Sequence, residues 1–483
     1  MLLNMVLSNN LDKIDIEKVL EILEEQVLTI TGKELTEAEK VVIKGAWKAE
    51  DYNEIACSSG YGMYYLQQKV GPPLWIMLTK VVGRKVKKAN LKDILLKLAK
   101  KDYFKRLEVS YLDNDSLVGK TKIYGELPKI EYFYGRQEEI NSLKNQIILF
   151  KQRCISITGV GGVGKSSLVV KLLEEILFEN SNLYEYVVWK KVERTSTIND
   201  IVTELIKVFD IDQGNDESFR FKVSLLSKKL SLHKCLLVID GFEALVQEGF
   251  SENKIEFEDF LSGITKEQGL SCTIIATQVP LKEFSYFAIN LPILSLKLDG
   301  LEISAAIEML HNKGLQGKEC KELVETYRGN PSELEAVAEK IHRFFGGNIE
   351  SFFEYRTTVI SSRFQAMLHK QFEPNGFLNN LQKTILIYLA NELKENSTPV
   401  SFTKLIDDLK EQLGLSLSIF EIMADIDILE QRSLVERIKY QDKKETRYTL
   451  QPVIKKYILI DPLGLIHEKS NKPKKSTQTA NIL

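Results

Sequence analysis

The sequence predicts a multidomain α/β plus α protein: a parallel sheet with helices on both faces, an all-α N-terminal domain before it, and a helical domain and a winged helix after it. Three observations carry this. Short apolar runs alternate with helical stretches between residues 133 and 295, a helical period dominates the first 110 residues, and strands disappear again past residue 296. Strands alternating with helices form parallel sheets, because each crossover helix covers a sheet face. A chain of 483 residues is long enough for each unit to bury its own core.

Taken in order, Leu20, Ile22, Leu23 and Val27 recur at helical spacing and Gly32 ends that run. A helix opened by Thr36, a short one around Tyr52–Cys57, a turn at Gly60 and a third helix from Met63, interrupted by Pro72 and Pro73, have the spacing of a helix-turn-helix. Residues 111–132 read as a linker, polar and punctuated by Gly and Pro. CISIT (154–158), YEYVVWKKV (184–192), KCLLVID (234–240), CTIIAT (272–277) and AINLPIL (288–294) are the expected strands. Residues 296–365 then form a helical domain, residues 366–462 three helices and a hairpin in winged-helix order, and residues 463–483 a disordered tail.

Composition excludes less. Lys and Arg total 65 against 67 acids, so the net charge of −2 points to neither nucleic acid nor anionic membrane as the main partner. That balance conceals Arg84–Arg106, 23 residues holding ten Lys or Arg against two acids. The segment could grip phosphates, or it could be the solvated face of a helix whose core positions are Leu91, Ile94, Leu95 and Leu98. The first residues lack a basic n-region and cleavage site, no apolar stretch is long enough to span a bilayer, and the five cysteines form no C-x-x-C pair. A cytoplasmic protein with no membrane partner is expected.

The chemistry concentrates after CISIT. GVGGVGKSS places Gly159, Gly164, Lys165 and Ser166 at the fixed positions of G-x-x-x-x-G-K-[ST], between a strand and a helix. Glycines let successive backbone N–H groups turn inward around a phosphate, so Gly159, Gly161, Gly162, Val163, Gly164, Lys165, Ser166 and Ser167 form the predicted phosphate cradle. Lys165 would reach the β- and γ-phosphates, and Ser166 would ligate Mg²⁺. Asp240, ending the apolar run of KCLLVID, is the predicted second metal-side and catalytic acid. Glu243 either polarises the attacking water or caps the next helix.

FYGRQEEI (133–140), the GVGGVGKSS loop, LLVIDGFE (236–243), CTIIATQ (272–278), LKLDGLEISAAIEML (296–310), YRGNPSEL (327–334) and TLQPVIKKY (449–457) stand in the order of NB-ARC domains. The chain thereby resembles the STAND class of P-loop NTPases, cyanobacterial members most, over residues 130–460. The resemblance implies an ATP- and ADP-binding switch with Mg²⁺, slow in hydrolysis, that self-associates with ATP and signals to a protein partner. It also implies that Arg136 approaches the nucleotide and that Gly329, Pro331 and Leu334 line its adenine side, although Gly329–Pro331 is sufficiently explained as a helix-terminating turn. At the sensor strand Thr277 is followed by Gln278 where relatives carry Arg, and Gln451 stands where many place His against the β-phosphate. Glutamine can hydrogen-bond a phosphate oxygen but brings no charge. The N-terminal unit resembles the helix-turn-helix of some of these proteins, which makes a nucleotide-gated DNA-binding regulator the alternative. Its base-reading candidates are Gln67, Gln68 and Lys69. An ordinary ATPase motor is disfavoured by Gln278.

Overall fold

A computed structural model describes residues 16–96, 98–99, 121–179, 183–193, 195–211, 218–246, 254–266, 269, 271–284, 289–355, 358–374, 376–396, 398–413, 418–439, 446–462, 464 and 466. The chain divides into two compact units, Met1–Tyr124 with Lys171–Val187, and Gly125–Val170 with Val188–Leu483.

In the first unit, helix Ile16–Thr31 ends where Gly32 takes φ 68°. Helices Glu37–Trp47 and Tyr52–Ser59 open with reciprocal capping boxes, Thr36 with Glu39 and Asp51 with Glu54, and the second closes on Gly60 in the left-handed region. The two prolines do not interrupt the third helix as expected. A π-helical turn, Tyr65–Val70, leads into the α-helix Gly71–Val82, whose first turn holds Pro72 and Pro73. Proline is tolerated in a first turn because its missing N–H has no helical acceptor to lose. Leu23, Val42, Ile43, Leu66, Leu74, Leu78, Leu91 and Leu95 share one core. Of the basic segment, the described residues thus include a core-facing stripe, and its part beyond Ala99 lies outside the described residues.

A six-stranded sheet has the order β1-β3-β4-β5-β2-β6. Its strands are β1 (Lys122–Tyr124), β2 (Cys154–Thr158), β3 (Tyr186–Lys191), β4 (Cys235–Asp240), β5 (Cys272–Thr277) and β6 (Ile293–Lys297). Two expectations change here. The segment read as a linker contains β1, and β6 begins only after Pro292, which cannot donate to a ladder. Strands β4, β5 and β2 lie side by side, parallel, and buried throughout except at Asp240. Their near-continuous apolar runs are what a sheet covered on both faces requires. The register aligns Asp240 with Ala276 and Thr158 with Thr277, so the three strands finish at one level.

Beyond the sheet come helices Ile303–Asn312, Glu319–Thr326, Pro331–Phe345 and Ile349–Glu354. The expected boundary after residue 365 falls inside an intact helix, Ser362–Phe372, capped by the Ser361 hydroxyl. Helices Asn380–Asn396, Phe402–Leu413 and Ile419–Gln431 follow, with a small antiparallel sheet β7-β9-β8 made of Val400–Ser401 (β7), Thr446–Thr449 (β9) and Glu436–Lys439 (β8). The predicted tail is almost wholly outside the described residues. Among the described residues no helix is long and apolar enough to cross a membrane.

Candidate nucleotide-phosphate site

The shared level of β2, β4 and β5 brings their following residues together. From β2 the chain enters the glycine loop and then helix Lys165–Glu179, and a cavity of about 660 Å³ opens beside it. Gly162 and Gly164 hold φ 80° and 99°, a region that side chains disfavour. At Gly159 the constraint is proximity, since a Cβ would lie 2.6 Å from the Leu298 carbonyl oxygen. The loop therefore needs glycine for two distinct reasons.

Lys165 Nζ donates to the carbonyl oxygens of Gly159 at 2.7 Å and Val160 at 3.2 Å. Burial lowers its proton affinity, Glu243 and Asp240 oppose this, and Arg363 adds to it. Ser166 Oγ donates to Asp240 Oδ1 at 2.9 Å, and burial raises the Asp240 carboxyl above its usual range against that hydrogen bond. Glu243 Oε2 accepts from the Gln278 N–H at 3.1 Å. One wall thus carries a hydroxyl and two carboxylates, and the loop beside it carries an ammonium at the N-terminus of a helix. That donor set fits the phosphates of a nucleotide with a divalent cation: Ser166 and Asp240 would hold the metal, which would screen phosphate charge, and Lys165 would face the phosphates.

Of the residues expected here, Arg136, Gly161, Gly162, Val163, Gly164, Lys165, Ser166, Ser167, Asp240, Glu243, Gln278 and Pro331 line this cavity. Arg136 takes φ 65°, pairs with Glu139 at 2.9 Å, and donates to the Asp299 carbonyl and, at 3.4 Å, to that of Val163. Its guanidinium therefore braces the loop backbone from outside.

Gly159 does not line the cavity but turns its carbonyl to Lys165 Nζ, and four further expected residues stand elsewhere. Gly329 and Gln451 line a second cavity of about 390 Å³, and Gln451 Nε2 donates to the Ser433 carbonyl at 3.4 Å. At Gly329, φ 63° and a Leu301 oxygen 2.3 Å from any Cβ account for the glycine by backbone packing alone. Leu334 is fully buried in its own helix's core face. Thr277 is buried too, and its hydroxyl is engaged in the turn to Val279.

The structure also adds residues. Arg363, Ala366, Met367 and Lys370 line the cavity from helix Ser362–Phe372. Their i, i+3, i+4, i+7 spacing is visible in the sequence and marks one helix face, but spacing cannot say what that face meets. Asn330 was legible only as a turn residue. It caps helix Pro331–Phe345 and also donates to the Gly161 carbonyl.

Two family models match the chain. Residues 14–98 match "vWA-MoxR associated protein N-terminal HTH" and residues 127–279 match "Novel STAND NTPase 1". The chain carries a STAND-type P-loop NTPase domain behind an N-terminal helix-turn-helix domain. The STAND match ends at Val279, just past Gln278, so it takes in the glycine loop, Asp240 and Glu243. An uncharacterized WD repeat-containing protein of Nostoc sp. is 30% identical over 353 residues, 69% of this chain. The chain spans 27% of that curated relative's length. Among solved structures, a Walker-type ATPase of Pyrococcus abyssi aligns with TM-score 0.44 and 16% identity over 67% of this chain and 95% of that one. The ORC2 protein of Aeropyrum pernix aligns with TM-score 0.43 and 13% identity, covering 67% and 93%.

Proposed function

We propose that this STAND-type NTPase is an NB-ARC-like signalling switch. In this reading it binds ADP in a closed state and ATP·Mg²⁺ in an open, self-associating state, with slow hydrolysis resetting it. One observation carries the reading. The cavity beside the glycine loop is walled jointly by the sheet, by Pro331, Ser332 and Glu335 of the helical segment, and by helix Ser362–Phe372 leading into the winged-helix module. A nucleotide there would touch all three, so its phosphate count would bear on how they pack. Gln278, neutral and in the cavity, supports slow turnover, because a developing phosphoryl charge meets no cation from that strand.

For the N-terminal helix-turn-helix the reading is a protein-docking output. Around its third helix Tyr64 and Ile76 are 70% and 72% exposed and Tyr65 is also exposed, while Lys69 is the one cation among Gln67, Gln68 and Lys69. Exposed aromatics suit a protein surface better than a phosphate backbone. The test of the switch is whether the purified chain carries ADP, released by denaturation and resolved by ion exchange, and whether ADP·Mg²⁺ raises its melting temperature. At 100 times Kd the gain is about 2.7 kcal/mol, roughly 5–10 °C for a domain of this size. Lys165→Ala should abolish it, and an unchanged melt of the unsubstituted protein in saturating ADP and ATP would refute the reading. Retardation of duplex DNA tighter than about 10⁻⁴ M at physiological salt would move the output to DNA.

A further inference from the structure

Helix Ser362–Phe372 presents Arg363, Ala366, Met367 and Lys370 to the phosphate cavity. The helix is held in place from the adjoining helical segment. Buried Glu333 accepts from the Ser361 N–H at 3.1 Å and from the Ser361 hydroxyl, and that hydroxyl caps the helix by accepting from the Phe364 N–H at 3.1 Å. Arg363 sits two residues from this anchor, so its backbone is fixed while its exposed side chain faces the cavity.

Among the described cations of the cavity wall, Arg136 is tied to Glu139 and Lys313 to Glu335. Among the described residues Arg363 has no ion pair or hydrogen bond, and its charge is felt at Lys165. Two like charges converging on one space repel, and the arrangement becomes favourable when an anion lies between them. The benefit grows with the charge of that anion. A guanidinium also offers a fork of donors matched to phosphate oxygens, which Gln278, just past β5, does not.

We propose that Arg363 is the cation that distinguishes a nucleoside triphosphate from a diphosphate in this site, supplying from the C-terminal helix the charge that the sensor strand lacks at Gln278. Binding of the triphosphate then draws helix Ser362–Phe372 toward the glycine loop, and loss of the terminal phosphate releases it. The proposal rests on the nucleotide-switch reading and adds to it the residue that reads the phosphate number.

The test measures Mg²⁺-dependent affinities of the full chain for ADP and for adenylyl imidodiphosphate, a non-hydrolysable triphosphate, by displacement of a fluorescent nucleotide. In Arg363→Ala the triphosphate should weaken about 10- to 100-fold, the scale of a charged hydrogen bond, with ADP changed less than about threefold. Arg363→Lys, which keeps the charge without the fork, should recover part of that loss. Because the side chain is exposed and unpaired, the variants should melt as the unsubstituted protein does, which a thermal scan checks. Equal weakening of both nucleotides, or no weakening of either, overturns the role of Arg363 while leaving the switch reading intact. Failure of the unsubstituted chain to bind either nucleotide overturns both.

Discussion

Asn330 Nδ2 donates to the carbonyl oxygen of Gly161 at 3.0 Å, while Oδ1 of the same side chain accepts from the N–H groups of Ser332 and Glu333 at 3.1 and 3.4 Å. One buried amide therefore starts helix Pro331–Phe345 and holds the glycine loop. Asn330→Ala should remove both functions and destabilise the protein by about 1–3 kcal/mol in urea unfolding. Asn330→Asp retains a good cap but has no donor for Gly161. It should lie closer to the unsubstituted protein in stability than Asn330→Ala does, yet bind ADP more weakly than the unsubstituted protein. An Asp variant with unaltered ADP affinity would show that the loop needs no tether from this helix.

Glu243 lines the cavity and is oriented by the Gln278 N–H. If it polarises the attacking water, Glu243→Gln should slow phosphate release about 100-fold or more while leaving ADP affinity within about threefold, since an amide oxygen can still accept from Gln278. Phosphate release that persists at the original rate would assign Glu243 a purely structural part.

A pH prediction follows from Glu333. Burial raises the proton affinity of its carboxyl, and the two hydrogen bonds from Ser361 act the other way. A carboxyl raised in the folded state contributes stability that is fully present below about pH 4.3 and is lost as pH climbs through its folded value. Glutamine has no such proton. The melting-temperature difference between Glu333→Gln and the unsubstituted protein should therefore shift in favour of the variant as pH rises from about 4 to 7. A difference that stays constant over that range would contradict this account.

Arg328 joins the helical segment to β8 through a bidentate pair with Glu436, at 2.7 and 2.8 Å. The pair is partly exposed, so its worth in global stability is below about 1 kcal/mol. Its consequence is expected in kinetics, because in the proposed switch it bridges segments that would separate on opening. Glu436→Gln should speed release of a fluorescent ADP analogue by about two- to fivefold, in stopped-flow chase, with little change in melting temperature.

Local chemistry made much of this legible. Thr36 announced its helix because a side-chain oxygen beside free N–H groups stabilises a helix start wherever it occurs. CISIT, KCLLVID and CTIIAT announced buried strands because only a doubly covered sheet tolerates such runs. Strand β1 was hidden because three residues at a sheet edge carry no period, and the helix through Pro72 and Pro73 because a π-turn ahead of them leaves no local mark.

By itself the sequence determined the order of the units and the phosphate loop, since a glycine pattern between a strand and a helix is a property of contiguous backbone. Only the tertiary structure decided which distant side chains share that loop's cavity. It brought in Arg363, left Gln451, Gly329, Leu334 and Thr277 outside, and tied the loop from behind through the hydrogen bond of Asn330 to Gly161. The reason is geometric: strand register sets where Asp240 and Gln278 end, but the approach of helix Ser362–Phe372 is set by the packing of whole helices and by the buried anchor between Glu333 and Ser361.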